Sequence, residues 1–289
     1  MQKDKIKVLG VKFDNVTLKT ALDEAISLAK GKGKSYIVTP NPEILLEAQK
    51  NEKFLRVLNE ANLSIPDGIG ILWASKFLTI KKRTSSKIYL FIKWIFSILS
   101  VVIYPKYIRS VLTERVTGTD LMQEICRESV KHGLKIFLLG ARSGTAEKIK
   151  EILEKRYEGI KIVGTESKTP SIADEEYLKN IINKSGADIL FVAYGAPNQE
   201  LWIKRNLPKF NTVKLAIGVG GAFNFIANIK KRAPIFMQKL GLEWLFRLIQ
   251  EPSRIKRIIN ATIVFAWKVL GFFLLTLFPL FQNHFYVRL

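Results

Sequence analysis

The chain has 289 residues, 48% of them apolar, and carries 46 Lys plus Arg against 25 Asp plus Glu, a formal charge of +21. That length can bury a full core, as one large domain or a domain plus an appendage, and the charge favours a polyanionic partner: nucleic acid, anionic lipid or phosphorylated substrates. A single cysteine, Cys126, and two distant histidines, His132 and His284, exclude an intramolecular disulfide and a zinc centre of the usual spacing.

Taken in chain order, the N-terminus has charges but no apolar stretch of signal-peptide length, so a cytoplasmic location is expected. Residues 6–11 read as a strand. Thr17 is placed to cap a helix running to about Lys30, and residues 36–38 read as a short buried strand ending at Thr39. Helical segments over 43–49 and 52–60 precede a strand that ends before Asp67. Beyond residue 118 the alternation resumes: helix 120–132, strand 135–139, helix 145–157, strand 160–163, helix 174–183, strand 188–193, a helix near 198–205, and strand 213–217. This spacing predicts an α/β fold, a mostly parallel sheet with helices on both faces.

Two apolar segments break the pattern. Residues 81–112 hold a greasy stretch, 88–104, that is shorter than the roughly 20 residues needed to span a bilayer. After Arg257 a longer apolar run follows, with Lys268 well inside it and Pro279 near its end. Interfacial helices, a transmembrane tail and buried core all fit these segments. Aromatics beside basic residues favour the interface. The triplets Lys81-Lys82-Arg83, Lys230-Lys231-Arg232 and Arg254/Lys256/Arg257 can add attraction to anionic lipid. The expected organisation is a core over residues 1–230, with an apolar insertion at about 81–112, and a C-terminal helical, membrane-associating appendage over 231–289.

Polar spots recur where strands should end, the place where ligands bind in parallel α/β sheets. TPNPE puts Thr39 and Asn41 after one strand, PDG puts Asp67 after the next, YGAPNQE (194–200) supplies Gln199, and GVGGAFN (218–224) ends in Asn224. Asp67 has two readings. It can cap the following helix, or act as a general base if it reaches a substrate proton. Glycines and helix N-termini at these ends suit a nucleotide or diphosphate. There is no Asp-x-Asp pair to hold a metal-nucleotide, no GxxxxGK[ST] loop and no GxGxxG. Neither a metal nor a cofactor is therefore expected. Arg247, Arg254 and Arg257 are spaced to grip a diphosphate or to form an exposed basic rim, with Pro252 breaking the helix between them.

The ordered set TPNPE, PDGIG, ERVTGTDL, LLGARSG, GAPNQE, GVGGAFN, RAP and LEWLFRL…EPSR resembles the TagA/WecG/CpsF family of bacterial glycosyltransferases, over roughly residues 6–77 and 114–257. The resemblance implies transfer of N-acetylmannosamine or a related sugar from a UDP donor to an undecaprenyl-diphosphate-linked sugar at the cytoplasmic face of the membrane. Anionic lipid is then a further partner and nucleic acid is not. Asp67 matches the family's general base and Thr39 its neighbour in the pocket. Asn41, Arg115 and Gln199 match pocket residues, and Arg247, Arg254 and Arg257 match arginines that close over the donor diphosphate. The family usually has Asp where Asn224 stands, and a shorter link where residues 81–112 look inserted. Direct displacement would invert an α-linked donor to a β-linkage. Open alternatives are a different UDP-sugar such as UDP-glucose, a catalytically dead membrane scaffold, and a basic nucleic-acid-binding protein.

Overall fold

The computed structural model describes residues 5–80 and 86–275. The chain opens with β1 (Ile6–Val8) and β2 (Val11–Phe13), then α1 (Leu18–Lys30), β3 (Ser35–Val38), α2 (Pro42–Ala48), α3 (Glu52–Asn59), β4 (Leu63–Ser64) and α4 (Ile69–Leu78). Two helices, α5 (Lys87–Ile103) and α6 (Pro105–Ile108), lead into α7 (Gly118–His132), β5 (Lys135–Gly140), α8 (Thr145–Arg156) and β6 (Lys161–Glu166). The remainder comprises α9 (Glu175–Ser185), β7 (Ile189–Ala193), α10 (Asn198–Asn206), β8 (Leu215–Gly218) and α11 (Ala222–Ile226), followed by α12 (Ile235–Lys239), α13 (Glu243–Gln250), α14 (Ile255–Ile259) and α15 (Phe265–Leu275).

Six strands form one sheet in the order β4-β3-β8-β7-β5-β6, every pairing parallel. Side chains alternate across it with the period of two that a strand imposes. Val38, Leu139, Val192 and Ala216 enter a core shared with α2–α5, α9, α10 and α15. Ile37, Leu138, Phe191 and Ile217 enter a second core under α1, α7, α8 and α11. Burial on both faces explains why the strands read as unbroken apolar runs. The expected α/β architecture is thus present, and Thr17 caps α1 as its sequence suggests, accepting a bond from the Thr20 amide.

Residues 6–11 are not one strand. They fold as an antiparallel hairpin outside the main sheet, with Ile6 opposite Phe13 and Val8 opposite Val11. The turn takes positive φ at both Leu9 (45°) and Gly10 (81°), the requirement of a two-residue hairpin whose twist matches its strands. Leucine gives no sequence signal for that conformation.

The apolar segments pack as helices on the first core. In α5, Leu90, Trp94 and Ser97 are buried. The Trp73 indole donates to Ser97 Oγ (3.0 Å), and the Trp94 indole donates to the Ala266 carbonyl (3.2 Å). Pro252 ends α13 as expected; a 3-10 turn, α14 and a π-helical turn at Asn260–Val264 then carry the chain into α15. The stretch Pro252–Leu275 is long and apolar enough to cross a membrane by length and composition. Yet Phe265, Val269, Leu270 and Phe273 are buried against the protein, and Phe273 lies 4.8 Å from Phe77, ring centre to ring centre. Lys81-Lys82-Arg83, Pro279 and His284 lie outside the described residues.

Candidate active site

The carboxyl ends of the strands gather the predicted polar residues. Thr39 follows β3 and is buried, and Asn41 caps α2 by accepting from the Ile44 amide (3.0 Å). Asp67 follows β4, its amide donating to the Pro40 carbonyl (3.2 Å). The capping reading of Asp67 does not hold. The N-cap position of α4 is Gly68, at φ 131°, and no side chain caps the helix. Glycine tolerates that backbone angle, and the Asp67 carboxylate meets the first turn of α7, where the Gly118 amide donates to it.

Gly118 is also the close-approach point between α7 and β3. A Cβ on it would lie 3.3 Å from Thr39 Oγ1. Thr39, Asp67 and Gly118 thus form one compact corner. Burial pushes the Asp67 pKa up to about 6, while Arg115 and Arg247 pull it down and Glu243 pushes it up.

Those three charged groups are themselves linked. Arg115, on the loop before α7, donates Nη1 to Glu243 Oε2 (3.1 Å), and Arg247 donates Nη2 to Glu243 Oε1 (2.9 Å). Burial of Glu243 opposes its charge, but Arg247 and Arg115 together hold its pKa below the usual range. Arg247 stacks over the Phe225 ring at 4.9 Å and leaves its Nε without an acceptor among the described residues. Next to this corner, Arg232 makes a two-pronged contact with Asp120 and touches Thr117 Oγ1, pinning the start of α7.

Beyond Arg247 the site opens. A small cleft lined by Asn224, Phe225, Lys230, Arg247, Glu251 and Arg254, among others, adjoins a cavity of about 360 Å³. Asn224 and Lys230 line both. The cavity lies over the ends of β5, β6, β7 and β8, with Arg142, Ser167, Lys168 and Tyr194 on its walls; its described lining has three cations and no carboxylate. That size and chemistry suit a phosphorylated small molecule. Gln199 is buried behind the cavity. Its Oε1 accepts from the Gly195 and Gly220 amides (both 3.0 Å) and its Nε2 donates to Glu200 (2.8 Å). It ties the two glycine loops together. Burial lifts the Glu200 pKa to about 7.

The structure therefore brings Thr39, Asn41, Asp67, Arg115, Asn224, Arg247 and Arg254 to one end of the sheet. Arg254 pairs with Glu251, which also holds Lys230. Arg257 is exposed and bonded to Glu43 in the first turn of α2, the helix that Asn41 caps, and lines neither the cleft nor the cavity. Four contributors take no site role from the sequence, although Arg142, Arg232 and Glu243 stand within the motifs LLGARSG, RAP and LEWLFRL; the fourth is Lys230. Glu243 precedes Arg247 by four residues, a spacing that predicts their ion pair but not its burial against Arg115. Lys230 and Arg232 sit in a triplet that reads as a lipid-facing patch, yet both side chains are engaged in ion pairs.

Among the described residues, no group of three or more His, Cys, Asp or Glu is placed to hold a metal ion. The profile of the Glycosyl transferase WecG/TagA/CpsF family matches residues 6–96 and 98–276. Proteins named N-acetylglucosaminyldiphosphoundecaprenol N-acetyl-beta-D-mannosaminyltransferase from Staphylococcus aureus strains MRSA252, MW2 and NCTC 8325 are each 29% identical over 267 residues, covering 92% of this chain and 92% of their own. Motifs, fold and profile agree, and the chain belongs to the WecG/TagA/CpsF family of glycosyltransferases.

Proposed function

We propose that this glycosyltransferase moves N-acetylmannosamine, or a closely related hexose, from a UDP donor to an undecaprenyl-diphosphate-linked sugar at the cytoplasmic face of the membrane, in the synthesis of cell-wall or surface polysaccharide. The observation that carries the reading is the Asp67 corner. There burial raises a carboxylate to a pKa of about 6 within the field of Arg115 and Arg247, and Arg247 also lines the cleft that adjoins the cation-lined cavity at the carboxyl ends of the strands. The names of the relatives supply the acceptor and the β-linkage.

In this mechanism the UDP moiety lies in the cavity, and its diphosphate meets Arg247 Nε, Arg254 and Lys230. Ionised Asp67 takes the proton from an acceptor hydroxyl as that oxygen attacks the anomeric carbon. The bond from the anomeric carbon to the diphosphate oxygen breaks, and UDP leaves with the electron pair. Charge developing on that oxygen is met by Arg247 Nε, with Arg254 and Lys230 turning to it from Glu251, which lowers the barrier. Arg115 and Thr39 orient the reacting groups beside Asp67. The appendage that begins at residue 231 closes over the donor through Arg247 and Arg254.

A donor screen tests the proposal. Purified protein is given a series of UDP-sugars with a lipid-diphosphate-N-acetylglucosamine acceptor, and the product is identified by mass spectrometry. Transfer from UDP-N-acetylmannosamine supports the reading. Transfer only from UDP-glucose or another donor replaces the sugar, and no transfer from any UDP-sugar overturns the proposal.

A further inference from the structure

The helix α5 is apolar on every side. One side is buried through Leu90, Trp94 and Ser97; the other exposes Ile88, Phe91, Ile92, Phe96, Leu99 and Ile103 at helical spacing. Such a helix normally belongs in a core or a membrane. A second exposed stripe runs along the C-terminal helices, through Ile255, Ile259, Ile263 and Trp267 at intervals of four. The stripes meet where Trp267 lies 6.2 Å from Phe91 and 4.9 Å from Trp94, ring centre to ring centre. The joined surface is far more apolar than a soluble monomer usually exposes.

Charge identifies what covers it. Residues 68–113 contain eight Lys and Arg and no Asp or Glu, and residues 252–289 contain five and none. Within the described part, Lys93 lies over the Tyr89 ring at 4.6 Å, its amine at the edge of the apolar stripe. Arg254 and Arg257 are held by Glu251 and Glu43, but the excess of cations remains, and a second copy of this chain would bring the same excess against it and be repelled. An anionic bilayer instead accepts the apolar stripes among its acyl chains and the cations among its phosphates.

We infer that α5, α14 and α15 form one docking surface for an anionic lipid bilayer. α5 is thereby a membrane anchor in its own right, and the three helices together fix the orientation of the strand ends relative to the lipid surface. The inference deepens the membrane placement of the proposed function and is independent of its sugar chemistry.

The test uses the full chain with the double substitution Ile92→Glu and Phe96→Glu, both on the exposed stripe and away from the Asp67 corner. Flotation is measured with vesicles of phosphatidylglycerol and phosphatidylcholine. The expected result is a fall of at least about tenfold in vesicle partitioning, with melting temperature and transfer to a water-soluble acceptor essentially unchanged. Sedimentation velocity should show the same monomer with and without the substitutions. A Phe96→Cys variant carrying an environment-sensitive fluorophore should shift to the blue on adding these vesicles. Unchanged partitioning or an unshifted fluorophore overturns the inference. So does a dimer that the substitutions dissociate without altering vesicle binding, which makes a second copy the occupant. A failed donor screen with normal flotation sinks the sugar chemistry alone.

Discussion

Glu243 accepts a 3.1 Å hydrogen bond from Arg115, joining the C-terminal helices to the loop that precedes α7. Both side chains are largely buried, and Arg247 holds the other carboxylate oxygen. The pair is therefore a latch, and it sets the field felt by Asp67. Removing one partner of such a buried pair leaves an uncompensated charge and is more damaging than the pair itself is stabilising.

Asp67→Asn should abolish transfer while UDP binding stays within a few-fold. Loss of a general base typically costs ~10²–10⁴ in rate. The same substitution should raise the melting temperature at pH 8. The folded pKa of Asp67 lies above its unfolded value, so ionisation weakens the fold as pH rises from the unfolded pKa toward about 6, and the penalty is complete above that. An uncharged Asn escapes it, by roughly 1–3 kcal/mol. A variant that keeps most of its kcat, or melts lower at pH 8, contradicts the assignment.

The pH profile should report the latch. In the wild type, kcat/KM should rise with pH through a limb near 6, the Asp67 value. Glu243→Gln removes the negative neighbour and frees the two arginines, so the limb should move to lower pH. Arg115→Gln removes a positive neighbour and should move it higher. Limbs that stay in place in both variants would show that Asp67 is not the titrating base.

Arg247→Ala should weaken UDP binding about 10–100-fold, as expected for a lost charge-assisted bond worth ~1.5–3 kcal/mol. Arg257→Ala should change it far less, because Arg257 is exposed and engaged with Glu43. Isothermal titration with UDP separates the two. Transfer should also survive chelation, since the cations in the cleft are guanidinium and ammonium groups. Complete loss in EDTA with rescue by Mg²⁺ or Mn²⁺ would overturn that role for the arginines.

The parallel sheet was legible because strands buried on both faces must be apolar throughout, and the first helix follows its capping residue, Thr17. The strand-end positions Thr39, Asp67 and Asn224 were legible for the same reason: in this topology, polar residues just past a buried strand lie at one edge. What the sequence hid depends on pairing across distance. Glu243 meets Arg115 across 128 residues and Arg232 meets Asp120 across 112, and no local pattern encodes either. The hairpin at residues 6–13 was hidden because its turn places a leucine at positive φ. The apolar tail was ambiguous because a helix that seats one face on a core and exposes the other has the composition of a spanning helix.

The two faces of α15 should separate by mutation. Phe273 is buried against Phe77, whereas Trp267, six residues earlier, is about half exposed. Phe273→Ala leaves a cavity in the core and should cost ~3–5 kcal/mol, lowering the melting temperature by roughly 2–4 °C for each kcal/mol. Trp267→Glu removes exposed apolar surface instead. It also gives up ring contacts with Phe91 and Trp94, so it should lower the melting temperature by less than Phe273→Ala does while reducing partitioning to phosphatidylglycerol vesicles. Truncation after Asn260 combines both losses, because it strips Phe265, Val269, Leu270 and Phe273 from the core along with the exposed stripe beyond that point. The truncated chain should therefore lose fold stability and part of its membrane binding together, the exposed stripe of α5 retaining the rest. A truncated chain that is soluble, folded and as heat-stable as the parent would show that α15 is only a tail. A Phe273→Ala variant of unchanged stability would show that this helix does not rest on the core.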